Sequence, residues 1–165
     1  MGIEFGVRES ISFALQGAHL QHFCLNAIPY GVIFVPRGSW ADVTAPQVSR
    51  DTGIALPSDS YEVKFDLLSN LKGSQASSFQ TRRQAGLSPL SMKELNILGS
   101  ALLASIELFH TDYQGSGYYG QAVAGNPKLC HYYKRLFRTN LAKLCAIGLT
   151  AHTSAGGNSY AFLPK

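Results

Sequence analysis

The side chains best able to do chemistry gather near the carboxyl end. Lys128, His131, Lys134, Arg135, Arg138 and Lys143 crowd one stretch, His152 follows, and residues 113–165 contain no Asp or Glu. That segment carries +6, because six of the fourteen Lys and Arg residues lie in it. Residues 1–112 hold all ten carboxylates and eight Lys or Arg, for −2. A row of cations without carboxylates attracts anions, and a run of phosphates is the anion a row fits. Tyr132 adds a hydroxyl able to donate to a phosphate or sugar oxygen.

Other constellations are weaker. Gly115-Ser116-Gly117-Tyr118-Tyr119-Gly120 spells G-x-G-x-x-G, but a dinucleotide site also needs a preceding buried strand and an acidic residue about 20 positions on. A helix precedes it and no Asp or Glu follows, so it reads as an aromatic loop or turn. His19, His22 and Cys24, with Cys130-His131, lack the spacing of a known zinc pattern, and no metal is expected. His110 with Asp112, or Cys130 with a distant His, are the nearest approaches to an activated nucleophile. No catalytic residue is assigned, no cofactor is implied, and the balance leans away from an enzyme. Trp40, beside Arg37 and after a turn, reads as a closing residue of the N-terminal strands.

These residues must be positioned by a folded chain. At 165 residues and 45% hydrophobic content, the protein is one ordinary domain or two small ones, burying roughly 70% of its unfolded surface. No apolar run approaches the ~18 to 20 residues of a membrane span, and the first residues lack the basic start and apolar stretch of a secretory leader. Cys24, Cys130 and Cys145 form an odd set without C-x-x-C spacing, which points to a reducing cytoplasm rather than a disulfide framework.

The elements follow from periodicity. Ile3 to Val7, Ile11 to Leu15 and Tyr61 to Leu67 alternate apolar with polar residues, as half-buried strands do. Tyr30 to Val35 is continuously apolar and suits a more central strand, while 16–27 is ambiguous and compatible with a short helix. Arg37-Gly38-Ser39 and Leu56 to Asp59 carry turn chemistry. Residues 69–90, rich in Ser, Gln and Gly, read as a polar linker or loop in which Arg82 and Arg83 are solvated spacers or a phosphate-contacting arm. Ser91 and Glu94 form a capping box that opens a helix with an apolar face at Leu95, Leu98, Leu102, Ile106 and Phe109, ending near His110. Asn126 as N-cap and Pro127 at the first helical position open a second helix, running to Ile147 or dividing at 138–140. Its core side is Leu129, Tyr133, Leu136, Leu144 and Ile147; the basic residues lie opposite. Two short runs around Gly156-Gly157-Asn158 make a hairpin.

The expected fold is therefore α+β: a β-rich unit at 1–68, a linker at 69–90 and a helical unit at 91–165. The order in that last unit, ending Leu141-Ala-Lys-Leu-Cys-Ala-Ile-Gly-Leu149 and a hairpin, resembles the winged helix-turn-helix superfamily. Many of its transcription regulators close the recognition helix with L-x-x-L-x-x-x-G-L before a glycine-tipped wing; Leu141, Leu144, Gly148 and Leu149 match it. The resemblance covers 91–165. It implies that the helix from Pro127 enters the major groove, with 152–159 as a wing.

The expected function is non-catalytic nucleic-acid binding, to duplex DNA ahead of RNA, through Lys128, His131, Tyr132, Lys134, Arg135, Arg138, Lys143 and His152. A homodimer through the N-terminal unit is compatible with it. The alternative is a protein-binding adaptor or inhibitor whose basic face meets an acidic protein partner.

Overall fold

The computed structural model describes residues 3–6, 9–11, 17–39, 43–72, 82–122 and 127–165. Its strands are β1 (Glu4–Phe5), β2 (Glu9–Ile11), β3 (Ala18–Leu25), β4 (Ile28–Pro36), β5 (Tyr61–Leu67), β6 (Tyr118–Gln121), β7 (Leu149–Thr153) and β8 (Ser159–Pro164). All eight belong to one sheet of order β1-β3-β4-β5-β6-β8-β7, with β2 also on β3. Every neighbouring pair is antiparallel except β5 and β6, which run parallel. Parallel neighbours need a crossover, and the chain makes it through α2 (Leu68–Lys72) and α3 (Met92–Tyr113).

Helices cover both faces, which is why the central strands are buried on both sides. On one face α3 and α4 (Pro127–Thr139) pack over Phe23, Tyr30, Val32, Phe34, Val63, Tyr118, Tyr160 and Phe162, the main core. Aromatic stacking is dense here: Phe34 lies 4.1 Å from Phe109 at an interplanar angle of 4°. On the other face α1 (Thr44–Thr52) sets Ala45 and Val48 against Tyr119 and Ala161, and α2 sets Leu68 and Leu71 against Ala18, Leu20, Ile33 and Val35. No helix among the described residues is long and apolar enough to cross a membrane.

The α+β class and the strands at 30–35 and 61–67 are as expected, and Tyr61 to Leu67 matches to the residue. The capping box is present, with Glu94 N donating to Ser91 Oγ at 3.3 Å and Ser91 N to Glu94 Oε2 at 2.7 Å. The helix it opens runs on to Tyr113.

Several expectations are corrected. Residues 18–25 form a strand, not a helix, because β4 pairs with them along their length and both faces find cores. The glycine-rich 115–120 segment is not a loop throughout: 118–120 lie in β6, buried by α3 and α1. Of the two readings left open for 127–147, the divided one holds, with the break at Asn140 between α4 and α5 (Leu141–Ala146). Units 1–68 and 91–165 share one sheet and one core through the β5–β6 pairing. Helix α1 was not anticipated, and α2 occupies the start of the presumed linker. Trp40, Asn126, Val7, 12–15 and 73–81 lie outside the described residues.

Candidate nucleic-acid interface

Helix α4 is amphipathic by geometry. Residues 128, 131, 135 and 138 recur at three- and four-residue steps, which at 100° per residue confines them to one arc. Lys128, His131, Arg135 and Arg138 are all exposed, while Tyr133, Leu136 and Phe137 on the opposite arc are buried in the main core. The burial of the aromatic side fixes the direction of the basic side. At ~1.5 Å per residue the four span about 15 Å. Lys143 is exposed on α5.

What these side chains touch decides how far the positive charge of the stripe is offset. Arg135 Nη2 donates to Asn96 Oδ1 at 3.1 Å, a neutral partner on α3. No carboxylate contacts Lys128, His131, Arg135, Arg138 or Lys143 among the described residues. An unneutralised stripe keeps its full attraction for anions.

The remaining three expected residues are placed differently. Lys134 lays its stem over Gly157, with Nζ donating to the Ala155 carbonyl. Gly157 has φ +75, where another residue would be strained, and a Cβ there would meet Lys134 Cγ at 2.6 Å and displace the lysine stem. The hairpin tip is thereby fastened to α4. Tyr132 turns its hydroxyl inward, donating to the Leu95 carbonyl at 2.8 Å. Burial pushes its pKa up to about 12, with Arg135 opposing the shift. His152 pairs with Ala161, whose side chain belongs to the α1 face; cross-strand partners share a face, so His152 lies across the sheet from the stripe.

Residues of α3 missed by sequence reasoning join the stripe. A shallow groove of about 370 Å³ is lined by Ile3, Lys93, Asn96, Ile97 and Ser100. Asn96 links it to Arg135, and exposed Lys93 contributes a further cation. The signal was available: 93, 96 and 100 share the polar side of α3.

No family model, curated protein or solved structure matches this chain. The functional reading therefore rests on the site itself.

The other constellations resolve into packing. Alternation puts His22 and Cys24 on one face of β3 and His19 on the other, where His19 Nδ1 lies 3.3 Å from the Tyr113 hydroxyl. Among the described residues no group of three or more His, Cys, Asp or Glu is arranged to hold a metal ion. His110 Nδ1 lies 2.8 Å from Tyr118 Oη, which also accepts from Gly115 N at 3.2 Å.

Proposed function

We propose that this protein binds nucleic acid without catalysis, through the exposed stripe Lys128, His131, Arg135 and Arg138 extended by Lys143 and Lys93. The observation that carries the reading is that no carboxylate among the described residues contacts that stripe. Its ~15 Å length is comparable with about four phosphate steps along one strand of B-DNA. Phosphate contacts position a protein without reading bases, so the affinity is sequence-tolerant. The winged-helix-like arrangement is supported by the order α3, β6, α4, α5, β7, β8 and the β6-β8-β7 pairing. It differs from a free wing in that β8 is interior to the sheet and Lys134 holds the tip.

The test is fluorescence anisotropy of a random-sequence duplex across a salt series. The five Lys and Arg side chains, Lys93, Lys128, Arg135, Arg138 and Lys143, give a log-log slope of about −4.5 and a loss of between about two and three orders of magnitude in affinity between 50 and 200 mM salt. A flat response sinks the reading. If an acidic protein competes for Arg135 and Arg138 instead, the adaptor alternative takes its place.

A second reading is favoured by one observation. The parallel strands pair only at Tyr61↔Tyr118 and Glu62↔Tyr119. Beyond that point Tyr160 Oη donates to the Val63 carbonyl at 3.2 Å, so a side chain stands where the ladder would continue. Open sheets take small ligands outside the carboxyl ends of parallel strands. Arg82, which bonds Tyr30 opposite Leu67, stands at that end of β5. This reading makes the protein a binder of a small anionic ligand, and a thermal-shift panel of phosphate-bearing cofactors tests it.

A further inference from the structure

We propose, building on the nucleic-acid reading, that the strand this chain holds is unpaired and seats one base in the groove lined by Ile3, Lys93, Asn96, Ile97 and Ser100. Helix α4 is flanked on both sides. Toward α3, Tyr132 Oη donates to the Leu95 carbonyl at 2.8 Å and Arg135 Nη2 to Asn96 Oδ1 at 3.1 Å. The two helices approach so closely that a Cβ at Gly99 would collide with Leu136. Toward the hairpin, Lys134 lies over Gly157 and bonds the Ala155 carbonyl. A recognition helix, ~10–12 Å across with its side chains, must be bare on both flanks to sink into a major groove about 12 Å wide and about 8.5 Å deep. Only the outermost arc of α4 is bare, and Lys93, Asn96 and Ser100 of α3 are exposed beside it. The surface is a two-helix platform with a hollow in it, and a duplex can rest only a backbone there.

An unpaired strand can also turn a base inward. Asn96 joins the two parts of such a site, since it lines the groove and accepts from Arg135. At about 370 Å³ the groove lies at the small end of ligand sites, which run from about 300 to 1,000 Å³, and suits one planar ring. Ile3 and Ile97, half-buried against the main core, offer apolar contact to its faces. The polar lining is rich in donors. Arginine has only donors, so the Asn96 atom it meets is the oxygen, which leaves the amide N–H groups for the groove. Lys93 and the Ser100 hydroxyl add to them. Such a lining suits a base that presents carbonyl oxygens, as thymine does at O4. The neighbouring carboxylates are turned elsewhere: Glu94 to Ser91 and Asn26, and Glu4, paired with Cys24, to the opposite face of the sheet from Phe5 and Phe23.

Magnitudes decide which form of nucleic acid wins. Cations on phosphates release more counterions from a duplex than from a single strand, with log-log slopes of about −4.5 against about −3.5 for the five Lys and Arg side chains. Phosphate contacts alone therefore favour the duplex, by about fivefold at about 200 mM salt. A seated base adds roughly tenfold to the single strand, toward the low end of what base stacking contributes because the walls here are aliphatic. The base term outweighs the phosphate term at that salt, and its advantage grows as salt rises.

The experiment is fluorescence anisotropy of the full chain with three labelled probes of one length: oligo-dT, a strand whose sugars carry no base, and a mixed-sequence duplex. Oligo-dT is expected to bind about tenfold tighter than the abasic strand, and tighter than the duplex at about 200 mM salt. Ser100→Leu, at an exposed side chain, fills the groove, and Ile97→Ala removes one wall; each brings the ratio of oligo-dT to abasic affinity down to about one. If Ile97→Ala does not fold, Ser100→Leu decides. Oligo-dT no tighter than the abasic strand, a duplex that stays tighter at that salt, or a ratio that survives Ser100→Leu overturns the base site and leaves phosphate binding by the stripe in place. Three probes that all fail to bind, with no response to salt, overturn the nucleic-acid reading and the base site with it.

Discussion

Arg135 meets Asn96, and no acid among the described residues. Its guanidinium donates to a side-chain amide at 3.1 Å, which orients the charge without neutralising it. Arg135→Ala and Arg138→Ala should each flatten the salt dependence of duplex binding by about one unit of log-log slope. Both sites are exposed, so stability should change by no more than about 0.5 kcal/mol. Anisotropy titrations at several salt concentrations, with a melt of each variant, check both statements.

Tyr132 is expected to matter to the fold and not to the ligand. Its hydroxyl is spent on the Leu95 carbonyl, so Tyr132→Phe should leave duplex affinity unchanged and cost about 1 kcal/mol. The pH dependence has a definite sign. Burial raises the pKa from 10.0 to about 12, so the unfolded state ionises first. The stabilisation is complete below pH 10 and is lost as pH rises toward 12. Chemical denaturation across that window should show a shallower alkaline loss in Tyr132→Phe.

His110 sets the acid side. Tyr118 Oη accepts from Gly115 N and lies 2.8 Å from His110 Nδ1; Nδ1 accepts the Tyr118 proton when the neutral ring carries its own proton on Nε2, and protonation of the ring removes that acceptor. Burial also lowers the His110 pKa from its ordinary 6.5. A base whose folded pKa is depressed supports the fold above its unfolded pKa and stops doing so as pH falls through the folded one. NMR should place the His110 midpoint below 6.5. Stability should decline as pH falls from 6.5 to that midpoint and level off below it, by less in Tyr118→Phe, where the hydrogen bond is absent from the outset.

Gly120 is a close-approach position. A Cβ there would meet Tyr160 Oη at 2.4 Å and the Val63 carbonyl at 2.9 Å, between a rigid ring and backbone. Gly120→Ala should therefore displace Tyr160, break its bond to Val63 and cost about 1–3 kcal/mol. Hydrogen exchange should localise the loosening to β6 and β8; a variant as stable as wild type would refute the contact.

What the sequence disclosed and what it hid have physical causes. The strand at 61–67 and the helix from Ser91 were legible because alternation and a capping box are local. The basic stripe was legible because α4 buries one side, which hydrophobic spacing shows. Three things depended on long-range partners. Tyr118 and Tyr119 become strand because β5 and β8 lie beside them. His152 points away from α4 because of a register with β8 that no local pattern states. Tyr132 looked available to a ligand, and a carbonyl 37 residues away takes it.

The β3–β4 hairpin was obscured for a reason that itself predicts a variant. Leu25 pairs with Ile28, so Asn26 and Ala27 form a two-residue turn, with φ of 52 and 62. Such turns favour Asn-Gly, whose glycine takes a positive φ freely; an alanine there gives no turn signal and suffers the left-handed penalty of about 1–2 kcal/mol. Glycine loses somewhat more chain entropy on folding, which offsets part of that relief. Ala27→Gly should therefore stabilise the protein by about 0.5–1 kcal/mol. Asn26 Nδ2 donates to Glu94 Oε1 at 2.6 Å, tying the turn to the first turn of α3, so the gain should also reduce amide exchange at the start of that helix. Equal midpoints for Ala27→Gly and wild type in urea would show that the alanine is not strained.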